Sequence, residues 1–142
     1  MQSANLMFRA FMDEPPGHFA LGHVFGLVAI PGDFGPDWAG GGVGWWECDL
    51  TKNEELAWSD EVYQMFGLPE AVPVTRQQAV GLYQEHSRSV LERVRAHAIN
   101  RESGFILDAE IGAPVGRWIR VFATPVHRGG RVGALRGLKR RL

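Results

Sequence analysis

The stretch from Val43 to Leu68, VGWWECDLTKNEELAWSDEVYQMFGL, holds two strand-length runs, a turn between them and an abrupt change to helical punctuation. Between Gly44 and Leu50, Trp46, Cys48 and Leu50 fall on one side and Glu47 and Asp49 on the other. That period of two marks a half-buried strand. Thr51 to Asn53 are turn residues, and Glu54 to Trp58 returns as the hairpin partner. Ser59 suits an N-cap, and Asp60 and Glu61 occupy the first turn, where the helix dipole favours acids. Tyr63 and Phe66 share a helix face, and Gly67 stops the helix. A two-stranded ribbon running straight into a short capped helix opens an α+β domain.

Residues on either side extend this pattern. Leu6 to Met12 predicts a short amphipathic helix ended by Pro15-Pro16-Gly17. Phe19 to Ile30 reads either as a second apolar helix or as an extended segment, and Pro31 to Gly42 as a Gly/Pro-rich linker. This apolar extension, residues 1–42, is expected to pack either on the outer face of the sheet or on a second copy of the chain. After the ribbon, Thr75 with Gln78 forms a capping box for a helix to about Tyr83. A longer helix follows from about Ser87 to Arg101, with Val90, Leu91, Val94, Ala98 and Ile99 as its apolar stripe and Gly104 closing it. Phe105 to Ile111, Arg117 to Val126 and Arg131 to about Leu138 complete the chain as three strands, the last two joined at Arg128-Gly129-Gly130. With no βαβ repetition, this order predicts an antiparallel sheet of five strands with helices collected on one face.

At 142 residues, 45% hydrophobic and 22% charged, the chain suits one globular domain. Its formal net charge of −1 gives no global pull toward nucleic acid or membrane. The charge is unevenly placed. Before residue 43, Arg9 stands against Asp13, Glu14, Asp33 and Asp37, whereas the end carries Arg131, Arg136, Lys139, Arg140 and Arg141 without an acid. A solvated strand end or the start of a linker is the expected role of this basic tail. The single cysteine, Cys48, excludes an internal disulfide and a multi-cysteine metal cluster. Met1 to Met12 lacks the pattern of a signal peptide, and the apolar run before Ile30 is too short for a membrane span. The expectation is a cytoplasmic protein.

Several motifs now fall together. Trp46-Glu47-Cys48-Asp49-Leu50, Leu56-Ala57-Trp58-Ser59, Tyr63-Gln64-Met65-Phe66-Gly67-Leu68 and Arg117-Trp118-Ile119-Arg120 resemble a PAS domain of the fold-3 type. In that variant a W-E-W-D-L strand leads to L-x-W-S, Y-x-x-F-G-L and R-W-I-R. The resemblance covers about Val43 to Leu138, and residues 43–142 are taken as the sensory domain. It implies a five-stranded antiparallel sheet in the order 2-1-5-4-3, with helices enclosing a pocket. It also implies signal perception beside a histidine kinase or similar effector, through a small ligand or cofactor, a signalling partner, or homodimerisation. Three departures stand out. Cys48 replaces the family's second tryptophan, Ser87-Arg88-Ser89 replaces Pro-x-Asp after His86, and Arg140-Arg141-Leu142 stands where Asp-Ile-Thr often closes the domain.

The pocket candidates are Trp46, Cys48, Trp58, Tyr63, Phe66, Tyr83, Val94, Trp118 and Phe122. Such a lining takes a flat apolar ligand, or equally forms a filled core. The cofactor is not specified. A flavin-adduct cysteine sits in an N-C-R-F-L-Q type helix motif, which is absent, so Cys48 reads as a small core residue. For haem, His97 lies at the edge of the helical stripe without a recognisable haem motif, and no histidine pair has zinc spacing. No G-x-S-x-G, H-E-x-x-H or phosphate-binding loop is present, and Gly40-Gly41-Gly42 reads as a hinge. Arg117 and Arg120 are expected to pair with Asp49, Asp108 or Glu110 across the sheet. The reading is a non-catalytic sensory domain. Its alternative is a constitutive interaction module with a filled pocket and an exposed sheet face for docking.

Overall fold

The computed structural model describes residues 2–26, 42–112 and 115–142. The expected linker up to Gly41, the end of the apolar run before it and the tip of the turn after Gly112 lie outside the described residues. The elements are α1 (Gln2–Asp13), β1 (His23–Phe25), β2 (Val43–Asp49), β3 (Glu55–Trp58), α2 (Asp60–Phe66), α3 (Arg76–Gly81), α4 (Glu85–Arg101), β4 (Gly104–Ile111), β5 (Arg117–Arg128) and β6 (Arg131–Arg141).

One antiparallel sheet carries all six strands, in the order β1-β4-β5-β6-β2-β3. Counted without β1, this is the expected order 2-1-5-4-3 read from the opposite edge. The difference is the sixth strand. His23 to Phe25 pairs with Ile106 to Gly104, and Phe25 faces Gly104 directly. A Cβ at Gly104 would run into the Phe25 ring, so the glycine admits the strand. It does not close α4, which ends at Glu102 in the left-handed conformation (φ 54°).

The ribbon and the cap signals behave largely as their residues dictate. Trp46 pairs with Trp58 and Cys48 with Leu56. Gly67 ends α2 at φ 70°, its N–H bonding the last carbonyls, and Thr75 and Gln78 form the reciprocal capping box on α3. Ser59 precedes α2 but makes no side-chain cap; its Oγ accepts the Trp45 N–H at 2.9 Å and ties the helix start to β2.

The helices do not all lie on one face. α2 and α4 pack on the inner face, where Val62, Met65, Leu91, Val94 and Ala98 join Leu107, Ala109, Ile119, Val121 and Leu135 in one core. α1 covers the outer face, burying Phe11 against Ile106, Phe122 and Leu138. Phe11 meets Phe122 edge-on, with ring centroids 5.9 Å apart. The sheet face expected to stand open for docking is therefore occupied by the chain's own amino-terminal segment.

Arg120 fixes that segment. Its side chain is fully buried, as is that of Asp108 opposite it. Nε donates to Asp108 Oδ1 at 2.6 Å and Nη2 to Oδ2 at 3.0 Å. The remaining N–H groups reach carbonyls where α1 ends: Phe11 at 3.2 Å, Glu14 at 2.7 Å and Pro15 at 2.8 Å. A cation thus satisfies the carbonyls that a helix C-terminus leaves unpaired. Asp108 also accepts the backbone N–H groups of Gly17 and Phe19. The expected Arg120–Asp108 pairing is present, and it reaches further than two strands. Asp108→Ala leaves a buried guanidinium without its counter-charge and should lower unfolding stability by about 3–5 kcal/mol, measured by urea titration with tryptophan fluorescence.

Candidate functional site

Between the inner sheet face and the helices lies a cavity of about 60 Å³. Trp46 and Cys48 come from β2, Leu56 and Trp58 from β3, Ala79 and Val80 from α3, and Leu91 from α4. Of the sequence candidates, Trp46, Cys48, Trp58 and Tyr83 line it. Phe66 stacks on Trp58 (5.0 Å between centroids, 13° between planes) and meets Tyr83 edge-on at 5.6 Å. Tyr63 lies against Trp58 at 5.2 Å with its hydroxyl donated to the Val72 carbonyl, and Val94 belongs to the surrounding core.

Two candidates point elsewhere. Strand alternation puts Ile119, Val121 and Ala123 on the inner face, which sends Phe122 to the outer core under α1. Trp118 is partly exposed and lies 5.8 Å from the His86 ring, which binds Glu110 at 2.7 Å. Neither residue lines the cavity.

The residue that dominates the cavity is Lys139. It is buried, and Nζ lies 5.3, 5.5, 5.1 and 5.7 Å from the ring centroids of Trp46, Trp58, Phe66 and Tyr83. Nζ donates to the Tyr83 hydroxyl at 3.1 Å. No carboxylate among the described residues forms an ion pair with it. Burial lowers its pKa from the ordinary 10.5 to about 7, partly countered by Cys48. Burial likewise pushes the Tyr83 hydroxyl and the Cys48 thiol up, the latter against the pull of Arg95. The expectation of a solvated basic tail therefore fails at Lys139. A signal was available: β6 pairs Lys139 with Val121, so the alternation that turns Leu135 inward turns Lys139 inward too.

Arg76 and Arg95 stand at the rim with side chains mostly buried. Arg95 donates to Glu54 at 2.5 Å, and Arg76 pairs with Glu92 and lies 3.9 Å from Glu54. Two cations and two anions balance there. Trp46 is fixed at the other side, its indole N–H donating to the Phe122 carbonyl at 3.3 Å. Gly137 pairs with Trp46 across the strands, and a Cβ on it would collide with that same carbonyl.

The lining does not fit haem or flavin. It contains no histidine, His97 is exposed on α4, and Cys48 lies on a strand rather than on a helix over the pocket. Among the described residues no group of three His, Cys, Asp or Glu side chains forms a metal site, and no helix is long and apolar enough to cross a membrane.

No family model and no curated protein matches this chain. Solved structures do. It is similar to the N-terminal domain of a diguanylate cyclase with PAS/PAC sensor from Marinobacter aquaeolei, with a TM-score of 0.62 and 13% identity over 70% of this chain and 94% of that one. It is also similar to an RNA-binding light-oxygen-voltage receptor, at 0.61 and 17% over 71% of this chain and 29% of the other. A sensory box histidine kinase/response regulator from Burkholderia thailandensis matches at 0.59 and 11%, over 71% and 77%. The fold is the PAS fold.

Two outcomes are expected. Gly137→Ala should displace the Trp46 indole and destabilise the protein by about 1–3 kcal/mol, read by urea titration. Because the folded-state pKa of Lys139 is depressed, the unfolded chain binds more protons above pH 7, and stability should rise with pH there. The gain by pH 9 is about 2–3 kcal/mol, beyond which the raised Cys48 and Tyr83 oppose it. Lys139→Met, compared by urea titration across this range, should lose the rise.

Proposed function

We propose that this PAS-fold chain is a non-catalytic sensory domain. A small ligand enters the cavity between sheet and helices, and its occupancy is relayed to a signalling partner or effector domain such as a histidine kinase. The observation that carries the reading is Lys139. A core that exists only to be filled gains nothing from burying an amine with a single hydrogen bond, since burial of an incompletely satisfied polar group is unfavourable. Lys139 beside an unfilled space gives the site a polar anchor in an apolar wall, the usual composition of a ligand pocket. The small volume limits the ligand to a few heavy atoms. Ligand binding shifts the domain only through different affinity for two states.

The same small volume favours a second reading, a constitutive interaction or dimerisation module whose pocket is closed. Native mass spectrometry of freshly purified protein, with an absorption spectrum and thermal-shift screening of small neutral molecules, separates the two. The sensor should show a retained mass lost on denaturation, or a rise in Tm that Lys139→Met abolishes. A clean apo mass at dimer size, with identical flat responses from both proteins, would move the assignment to the interaction module.

A further inference from the structure

The sequence contains two lysines, and they occupy opposite environments. Lys52 is exposed in the turn between β2 and β3, whereas Lys139 is buried in the wall of the cavity. Every other cationic side chain apart from histidine is arginine, which cannot act as a neutral amine at ordinary pH. Resting on the sensory reading, we propose that Lys139 Nζ is a covalent capture site: it takes a small neutral aldehyde as a reversible Schiff base, with the aldehyde's carbon chain held by the aromatic wall.

Three features select this chemistry. The amine lies in the cavity lining among Trp46, Trp58, Phe66 and Tyr83, with no carboxylate among the described residues locking it in an ion pair. Its position in an apolar pocket leaves much of it uncharged near pH 7, the state that attacks carbonyl carbon. The rim excludes an anionic ligand as the better fit: Arg76 and Arg95 are already neutralised by Glu54 and Glu92. An anion would be desolvated to meet one amine, a buried pairing that gains little. A neutral aldehyde carries no such penalty, and the neutral imine it leaves suits the same apolar surroundings.

The step balances without a further reagent. The Nζ lone pair forms a bond to the carbonyl carbon, and the C=O π pair goes to oxygen. The Tyr83 hydroxyl, hydrogen-bonded to Nζ, relays a proton from nitrogen to that oxygen and ends unchanged. The carbinolamine then loses water, which carries away both amine hydrogens, and C=N forms. Hydrolysis reverses it, so occupancy follows aldehyde concentration.

The test uses the full chain with butanal and sodium cyanoborohydride at pH 7, followed by intact mass and peptide mapping, and a parallel thermal-shift titration with butanal and butan-1-ol. Cyanoborohydride reduces an imine and leaves a hemithioacetal at Cys48 unrecorded. A single reduced butyl adduct on Lys139 should form first. Its rate should exceed that at Lys52 by about tenfold or more, since an exposed lysine is almost wholly protonated at this pH. Lys52→Arg should leave it unchanged and Tyr83→Phe should slow it. Adducts confined to Lys52 and the terminal amine overturn the proposal. Stabilisation by butan-1-ol equal to that by butanal, with no trapped Lys139, overturns capture while leaving the ligand pocket standing. No shift with either and no Lys139 adduct overturns both.

Discussion

Arg120 is the point on which the arrangement of the two layers depends. A fully buried guanidinium is tolerable only when its charge is matched and its N–H groups are all used, because the desolvation of an unpaired ion is severe. Asp108 supplies the charge, and the carbonyls at the end of α1 and the turn after it supply the remaining acceptors. Carbonyls at a helix terminus lack intrahelical donors, so Arg120 and the end of α1 complement each other. Arg140 adds to the same corner, donating to the Phe11 carbonyl at 2.8 Å with its guanidinium near the Phe11 ring. The outer sheet face becomes a second core because this corner holds α1 down.

Lys139 makes an informative contrast on the opposite face. Both cations are buried in central strands, yet Arg120 has a carboxylate and several carbonyls while Lys139 has one hydroxyl and a ring of π faces. Cation–π attraction offsets part of the desolvation of an ammonium. The amine answers the remainder by losing its proton more readily. A completed polar network holds shape, whereas an incomplete one is a place where something else can be accommodated.

The ribbon from Val43 to Trp58, the left-handed stop at Gly67 and the box at Thr75 were legible because each depends on neighbours in sequence. The strand order followed from the family likeness of several short motifs. β1 was not legible. Three residues have no measurable period, and their place depends on Gly104 leaving room about eighty positions away. The structure brings the candidates on β2 and β3 to the cavity, whereas Trp118 and Phe122, aromatic like them, have the strand parity that points away from it. Lys139 carries the opposite conflict: its charge suggests a solvated tail, whereas its parity with Leu135 puts it inside. A strand buried on both faces hides that parity from a hydropathy reading.

The sheet's outermost strands are its shortest. β1 has three residues and β3 four, while β5 and β6 at the centre of the sheet have twelve and eleven. Unpaired backbone along an edge is what recruits a second chain into a continuous sheet. Among the described residues, β5 and β6 have both flanks taken, and the strands at the two edges are short. Short edges of this kind favour contact through side-chain surfaces over strand addition, so that specificity is set by shape and charge rather than by a template any extended peptide would match.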